Sequence, residues 1–218
     1  MPDSVQTDTI TTPRTARYAT LGRPDAPVWW VVLHGYGQRA PDFIEQCHAL
    51  QDSDTFVVAP EALSRFYVDG IDSHKEVGAS WMTRADREHE IADYLHYLDR
   101  LVAHLRPDEP PTLRVLGFSQ GAATASRWAL LGDTAVDRLV LWGGAPAHDL
   151  DLEAHASSLR ALALTLVVGS DDPYVTPERR AAVERTLDQH DIPVTIHTFE
   201  GGHHLHADTL RRLAATDA

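Results

Sequence analysis

Lysine is nearly missing from this chain of 218 residues: Lys75 is the one lysine, so almost all of its 19 basic residues are arginine. Cysteine is as scarce, with Cys47 alone, which excludes an intrachain disulfide and any metal site built from several cysteines. No apolar run approaches the roughly 18 residues that a membrane-spanning helix needs, which argues against stable membrane insertion. The opening MPDSVQTDTITTP has no basic n-region and no apolar h-region, so it does not read as a secretory signal, and the expected location is cytoplasmic. A basic balance is lacking too. The formal net charge is −13, which argues against nucleic acid as a partner, because phosphate binding needs gathered Lys and Arg. An anionic membrane surface is disfavoured for the same reason.

Acid is what the chain has in excess. Of its 32 acidic residues 22 are aspartate, a pattern with two readings. A GC-rich genome favours Arg, Ala and Asp codons; adaptation to high salt favours an acidic surface whose self-repulsion is screened. Otherwise the composition, 43% hydrophobic and 23% charged, is ordinary for a soluble globular chain. The length suits one domain, expected over residues 13–218, with residues 1–12 expected to fray.

Apolar runs alternate with helical patterns along the chain. The runs Ala16–Leu21, Val28–Leu33, Thr55–Ala59, Leu113–Gly117, Arg138–Trp142, Leu164–Val168 and Pro193–Phe199 are strand candidates. Several lack clean alternation, as strands buried on both faces of a parallel sheet do. Between them, Asp86–Leu105 spaces Ile91, Tyr94, Leu98, Leu101 and Val102 as one helical stripe. Pro177–His190 and Ala207–Ala215 are the other clear helix candidates. The alternation implies an α/β fold with a mostly parallel central sheet and helices on both faces, and directs attention to the carboxyl ends of its strands.

One of those ends is Gly117-Phe118-Ser119-Gln120-Gly121, where a strand candidate runs into the small residues Ala122, Ala123 and Ala125. A tight turn there pushes the serine into a sparsely populated conformation, requires glycine two residues before and after, and leaves the hydroxyl exposed at a helix N-terminus. Ser119 is therefore expected to be a nucleophile. An earlier strand runs into His34-Gly35-Tyr36-Gly37, so the backbone N–H groups of Tyr36 and Gln120 are the expected oxyanion donors. His34 is read as holding that loop rather than as a base. Further on, Gly169-Ser170-Asp171-Asp172-Pro173 supplies an acid; the following proline holds Asp172 extended, which favours it over Asp171. Glu200-Gly201-Gly202-His203-His204-Leu205-His206 supplies the base, with His203 first after the glycines and His204 and His206 as alternatives.

In this order, LHGYG, GFSQGA, GSDDPYVTP and GGHH resemble the phospholipase/carboxylesterase family of α/β-hydrolases, which includes acyl-protein thioesterases and small bacterial carboxylesterases. The similarity spans about residues 26 to 215. It departs from the family where His204-Leu205-His206 replaces the small polar residues that often follow the base. The resemblance implies an α/β-hydrolase fold without a separate lid domain. It also implies a nucleophile at Ser119, an acid at Asp172, a base at His203 and oxyanion donors at Tyr36 and Gln120. No cofactor and no metal are expected. Such an enzyme would cleave a small-molecule carboxylic ester, or a thioester, of a short-to-medium acyl chain through an acyl-enzyme on Ser119, and would lose activity on acidification as its base is protonated. The oligomeric state is left open, a homodimer included.

The long connection from Ala62 to Arg87 carries Phe66, Tyr67, Trp81 and Met82, candidates for an acyl pocket or else for core packing. Arg84 and Arg87 read as a solvated face, with contact to an anionic substrate as the alternative. Cys47 reads as a small buried residue. Other readings are a serine peptidase, a dienelactone-type hydrolase (which would need cysteine in place of Ser119), a metal-binding protein built on the histidines around His203, and a non-catalytic binding protein.

Overall fold

The strands fail to alternate because both of their faces are buried. Along β2 (Val28–Leu33), Trp29, Val31 and Leu33 enter one apolar cluster, while Trp30 and Val32 enter the other. The same division recurs in β3 (Thr55–Pro60), β6 (Thr112–Phe118), β7 (Arg138–Trp142) and β8 (Ala163–Gly169). These strands, with β1 (Tyr18–Leu21) and β9 (Thr195–Phe199), form a sheet in the order β1-β3-β2-β6-β7-β8-β9. All neighbours in it pair in parallel except β1 with β3. This computed structural model describes residues 5–70 and 73–215.

Helices cover both faces. One is packed by α2 (Arg87–Leu105) through Tyr94 and Leu98, and by α3 (Gln120–Leu131) through Ala122, Ala125 and Trp128. Leu159 of α4 (Ala156–Ala161) and Leu187 of α5 (Pro177–Gln189) complete that cluster. The opposite face is covered by Phe43 and Ile44 of α1 (Ala40–Gln46), Leu50 of a short 3-10 turn, and Leu210 and Leu213 of α6 (Ala207–Ala215). Cys47 is fully buried there, and burial pushes its thiol pKa up. This is the α/β architecture with a mostly parallel central sheet anticipated from the alternation, and it agrees with the α/β-hydrolase fold that the resemblance implies; no separate lid domain is built on the described residues.

Four elements depart from the sequence reading, two strands and two helices. The connection from Ala62 to Arg87 folds in part as an antiparallel hairpin of β4 (Ser64–Tyr67) and β5 (Val77–Ser80) rather than as a plain loop; its residues 71 and 72 lie outside the described residues. The helices α1 and α4 are too short to show a periodic stripe. Of the segment expected to fray, residues 1–4 lie outside the described residues; residues 5–17 carry no helix or strand, and Val5 and Ile10 are exposed. No helix among the described residues is long and apolar enough to cross a membrane.

Candidate active site

Because β2, β6, β7, β8 and β9 are parallel neighbours, the loops that follow them gather at one edge of the sheet. Four of those loops carry the residues singled out from the sequence. Ser119 sits between β6 and α3 with φ 55° and ψ −115°, a backbone conformation that side-chain-bearing residues rarely adopt. The turn is as tight as chain packing permits. A Cβ at Gly117 would lie 2.2 Å from the Gly121 carbonyl oxygen, and one at Gly121 would lie 2.2 Å from that of Leu33. The Ser119 N–H donates to the Trp142 carbonyl at 2.9 Å, tying the turn to the end of β7.

Asp172 follows β8 and is buried. Its Oδ1 accepts the backbone N–H groups of Tyr174 (2.8 Å) and Val175 (3.1 Å), which fixes the carboxylate plane. Oδ2 is thereby turned to Nδ1 of His203, 2.7 Å away. Asp171, by contrast, is exposed and takes a bond from the Ser170 hydroxyl. The His203 ring lies 4.8 Å from that of Phe118, the residue just before Ser119, and 4.7 Å from that of Tyr174. Gly143, after β7, has φ 58° and closes the space between them: a Cβ there would lie 2.8 Å from the His203 ring. His204 and His206 turn elsewhere. Both rings pack on Phe199, and His206 bonds the Thr209 hydroxyl at 3.0 Å.

Two backbone N–H groups at this edge are unengaged: among the described residues, neither Tyr36 nor Gln120 donates its N–H in a hydrogen bond. The loop bearing Tyr36 is held from several sides. Gly35 N–H donates to Gln38 Oε1 (2.8 Å), and Gly37 N–H to the Ala79 carbonyl in β5 (2.9 Å). His34 is fully buried; its Nδ1 meets the Gly35 carbonyl at 2.7 Å and its Nε2 accepts the Ala62 N–H at 3.1 Å. An imidazole that donates from one nitrogen and accepts at the other is neutral, and burial lowers its pKa accordingly. His34 thus ties β2 to the chain after β3, the loop-holding position expected of it.

The Gln120 side chain fastens the hairpin to the turn. Its Oε1 accepts the Trp81 N–H (3.1 Å), and its Nε2 donates to the Met82 carbonyl (2.9 Å) and the Ser80 hydroxyl (3.2 Å). Sequence reasoning missed this contact and those of Gln38 and Gly143. The glutamine in GFSQGA marked a motif, but its partners lie about forty residues earlier.

The four pocket candidates are split. Phe66 lies under Tyr36, with ring centroids 5.0 Å apart, and Met82 lines a cavity beside Gln120. Trp81, however, is a core residue, 2% exposed, with its indole N–H on the His34 carbonyl. Tyr67 turns outward against His74. An apolar cavity of about 370 Å³ lies instead behind Gly143 and Tyr174, the two residues packed against the His203 ring, and is lined also by Gly144, Val168, Val175 and Val183 among others. The side chain of Arg87 is three-quarters buried, and it pairs with Asp149 (2.7 Å) and Glu88 (2.7 Å). Arg84 is exposed at the cavity beside Gln120.

The family model "Serine hydrolase (FSH1)" matches residues 27–210. No curated protein matches the chain. Among solved structures the fold is similar to that of esterase PE8, at 25% identity and a TM-score of 0.69 over 93% of this chain and 97% of that one. It is also similar to acyl-protein thioesterase 2 of Zea mays, at 17% identity and a TM-score of 0.71 over 92% and 96%. A carboxylesterase from Mesorhizobium loti aligns at 20% identity and a TM-score of 0.68 over 92% and 95%.

Proposed function

The chain belongs to the FSH1 serine hydrolase family, and from that premise we propose that it cleaves esters or thioesters with Ser119, His203 and Asp172 as its catalytic triad. The observation that carries this reading is the strained Ser119 at the start of α3, beside a His203 whose Nδ1 is already paired with buried Asp172 at 2.7 Å. With Nδ1–H donated to the carboxylate, Nε2 is the basic atom that takes the Ser119 proton as Oγ attacks the carbonyl carbon. The tetrahedral oxyanion is received by the unengaged N–H groups of Tyr36 and Gln120, and the α3 N-terminus adds its positive dipole end. Collapse returns the proton from His203 to the leaving alkoxide or thiolate, leaving an acyl group on Ser119. Water, deprotonated by the same imidazole, then releases the acid. Asp172 stays ionised throughout, orienting His203 and stabilising its cationic form.

A short-to-medium acyl chain fits the apolar cavity of about 370 Å³ next to His203, in line with the size of small-ligand pockets. We place the enzyme in the cytoplasm, a setting that suits its free, buried Cys47 thiol. A fluorophosphonate probe is expected to label the wild-type protein and not Ser119→Ala. The variant is expected to lose about 10⁴-fold or more in kcat on p-nitrophenyl butyrate while keeping its circular dichroism spectrum. Labelling or turnover that survives the substitution would remove Ser119 from the mechanism.

A further inference from the structure

We infer that the cavity beside Gln120 is a subsite for a carboxylate on the substrate, so that this enzyme prefers an ester or thioester bearing one anionic group away from the scissile carbonyl. The inference rests on the assignment of Ser119 as nucleophile. The cavity measures about 520 Å³, and among the described residues the charged groups on its wall are the arginines Arg84, Arg87 and Arg127, joined by His148. In a chain of net charge −13 such a wall needs a cause.

Ion pairing supplies one. Asp149, behind the wall, is the shared partner of Arg127 (2.6 Å) and Arg87 (2.7 Å), so one carboxylate serves two guanidiniums. Those bonds, Arg127's foremost, hold its carboxyl well below the usual carboxylate range. Glu88 takes the other edge of Arg87 but is 81% exposed. Glu90, the next acid, accepts from the N–H and hydroxyl of Thr83 and pairs with none of the three arginines. Arg84 makes no hydrogen bond or ion pair among the described residues. Arg87 and Arg127 are thus committed to carboxylates and Arg84 is the guanidinium left to take one; a single such group suits a monoanionic carboxylate better than a dianionic phosphate ester. Arginine is also the side chain whose planar fork fits a carboxylate.

Position links the cavity to the reaction. Gln120, Ala123, Thr124 and Arg127 form one face of α3, which begins directly after Ser119. Arg127 lies seven residues beyond Gln120, so the basic wall starts at the oxyanion donor and extends roughly 10 Å along the helix. A carboxylate held there would lie several bonds from the carbonyl, on the acyl or on the leaving-group side.

Matched ester pairs test both sides: p-nitrophenyl decanoate against the p-nitrophenyl monoester of sebacic acid, and phenyl butyrate against the butyrate of a phenol carrying a carboxyalkyl chain. In one pair the anionic ester is expected to exceed its neutral twin about fivefold or more in kcat/KM. That ratio is expected to fall toward one in Arg84→Gln and in 1 M NaCl. Neutral esters preferred in both pairs would overturn the subsite, as would an anionic preference that persists undiminished in Arg84→Gln. Those outcomes differ from failure of the Ser119 assignment, which would appear as unchanged turnover of the neutral esters by Ser119→Ala and would take the subsite with it.

Discussion

At Ser119 the backbone is held at φ 55°, which costs a side-chain-bearing residue about 1–3 kcal/mol and persists only where the surroundings over-determine it. The surroundings here are the Gly117–Gly121 contact, the approach of Gly121 to Leu33, and the bond from Ser119 N–H to Trp142. The tight turn itself was legible in the sequence, because a serine at a strand end with glycine two residues to either side fits little else. Which aspartate meets His203 was legible for a different reason: Pro173 constrains Asp172 and leaves Asp171 free. In the folded chain Asp172 faces His203 while Asp171 faces Ser170. Asp172→Asn is accordingly expected to lower kcat by about 10⁴-fold, since an amide at that position favours the wrong imidazole tautomer. Asp171→Asn is expected to change kcat less than about threefold. Steady-state assays of the two variants side by side check the pair, and a larger loss in Asp171→Asn would reverse the assignment.

The strands and long helices announced themselves, since burial on both faces makes runs such as VWWVVL, and α2 carries its stripe over 19 residues. The β4–β5 hairpin did not. Its strands are four residues each, the connection over 68–76 is too long for its Asp69-Gly70 pair to read as a two-residue hairpin turn, and what fixes them lies elsewhere in the chain, in the Gln120 side chain and the loop at Gly37. Long-range side-chain bonds of this kind have no local pattern to read. Gln120→Ala keeps the backbone N–H but removes three hydrogen bonds and leaves the Trp81 N–H without its partner. It is expected to destabilise the fold by about 1–3 kcal/mol and to lower kcat several-fold as the segment Ser80–Met82 shifts. Urea denaturation and kinetics measure the two effects separately. A second tie of the same kind joins α3 to the loop after β7 through Arg127 and Asp149. Because hydrogen bonding to Arg127 lowers the Asp149 pKa in the folded state, its contribution is full above the unfolded carboxylate range and is lost as pH falls through the folded value. Asp149→Asn is expected to cost roughly 2 kcal/mol at pH 7, between the values for exposed and buried pairs. The gap from wild type should narrow as pH drops below about 4, and a gap constant with pH would show that the charge contributes nothing.

Over the whole molecule the net charge was plain from composition, but not its arrangement: the arginines that line one cavity come from α2, α3 and the segment before α2. The remaining surface is strongly acidic, so two salt effects oppose each other. Exposed pairs such as Arg180–Glu184 and Arg211–Asp208 weaken as ions screen them. Repulsion among the unpaired carboxylates weakens as well, and at a net charge of −13 self-repulsion is expected to be the larger effect. The Debye length falls from about 30 Å at 0.01 M to about 3 Å at 1 M, so screening reaches neighbouring surface charges only in the upper part of that range. Tm is therefore expected to rise with NaCl and to level off once the Debye length drops below the spacing of surface charges. Differential scanning fluorimetry across 0.01–3 M NaCl reads the curve. A plateau identifies relief of self-repulsion and supports adaptation to salt; a continued linear rise is the signature of salt exclusion acting on any protein. A flat or falling Tm would leave codon composition as the source of the aspartate and arginine excess.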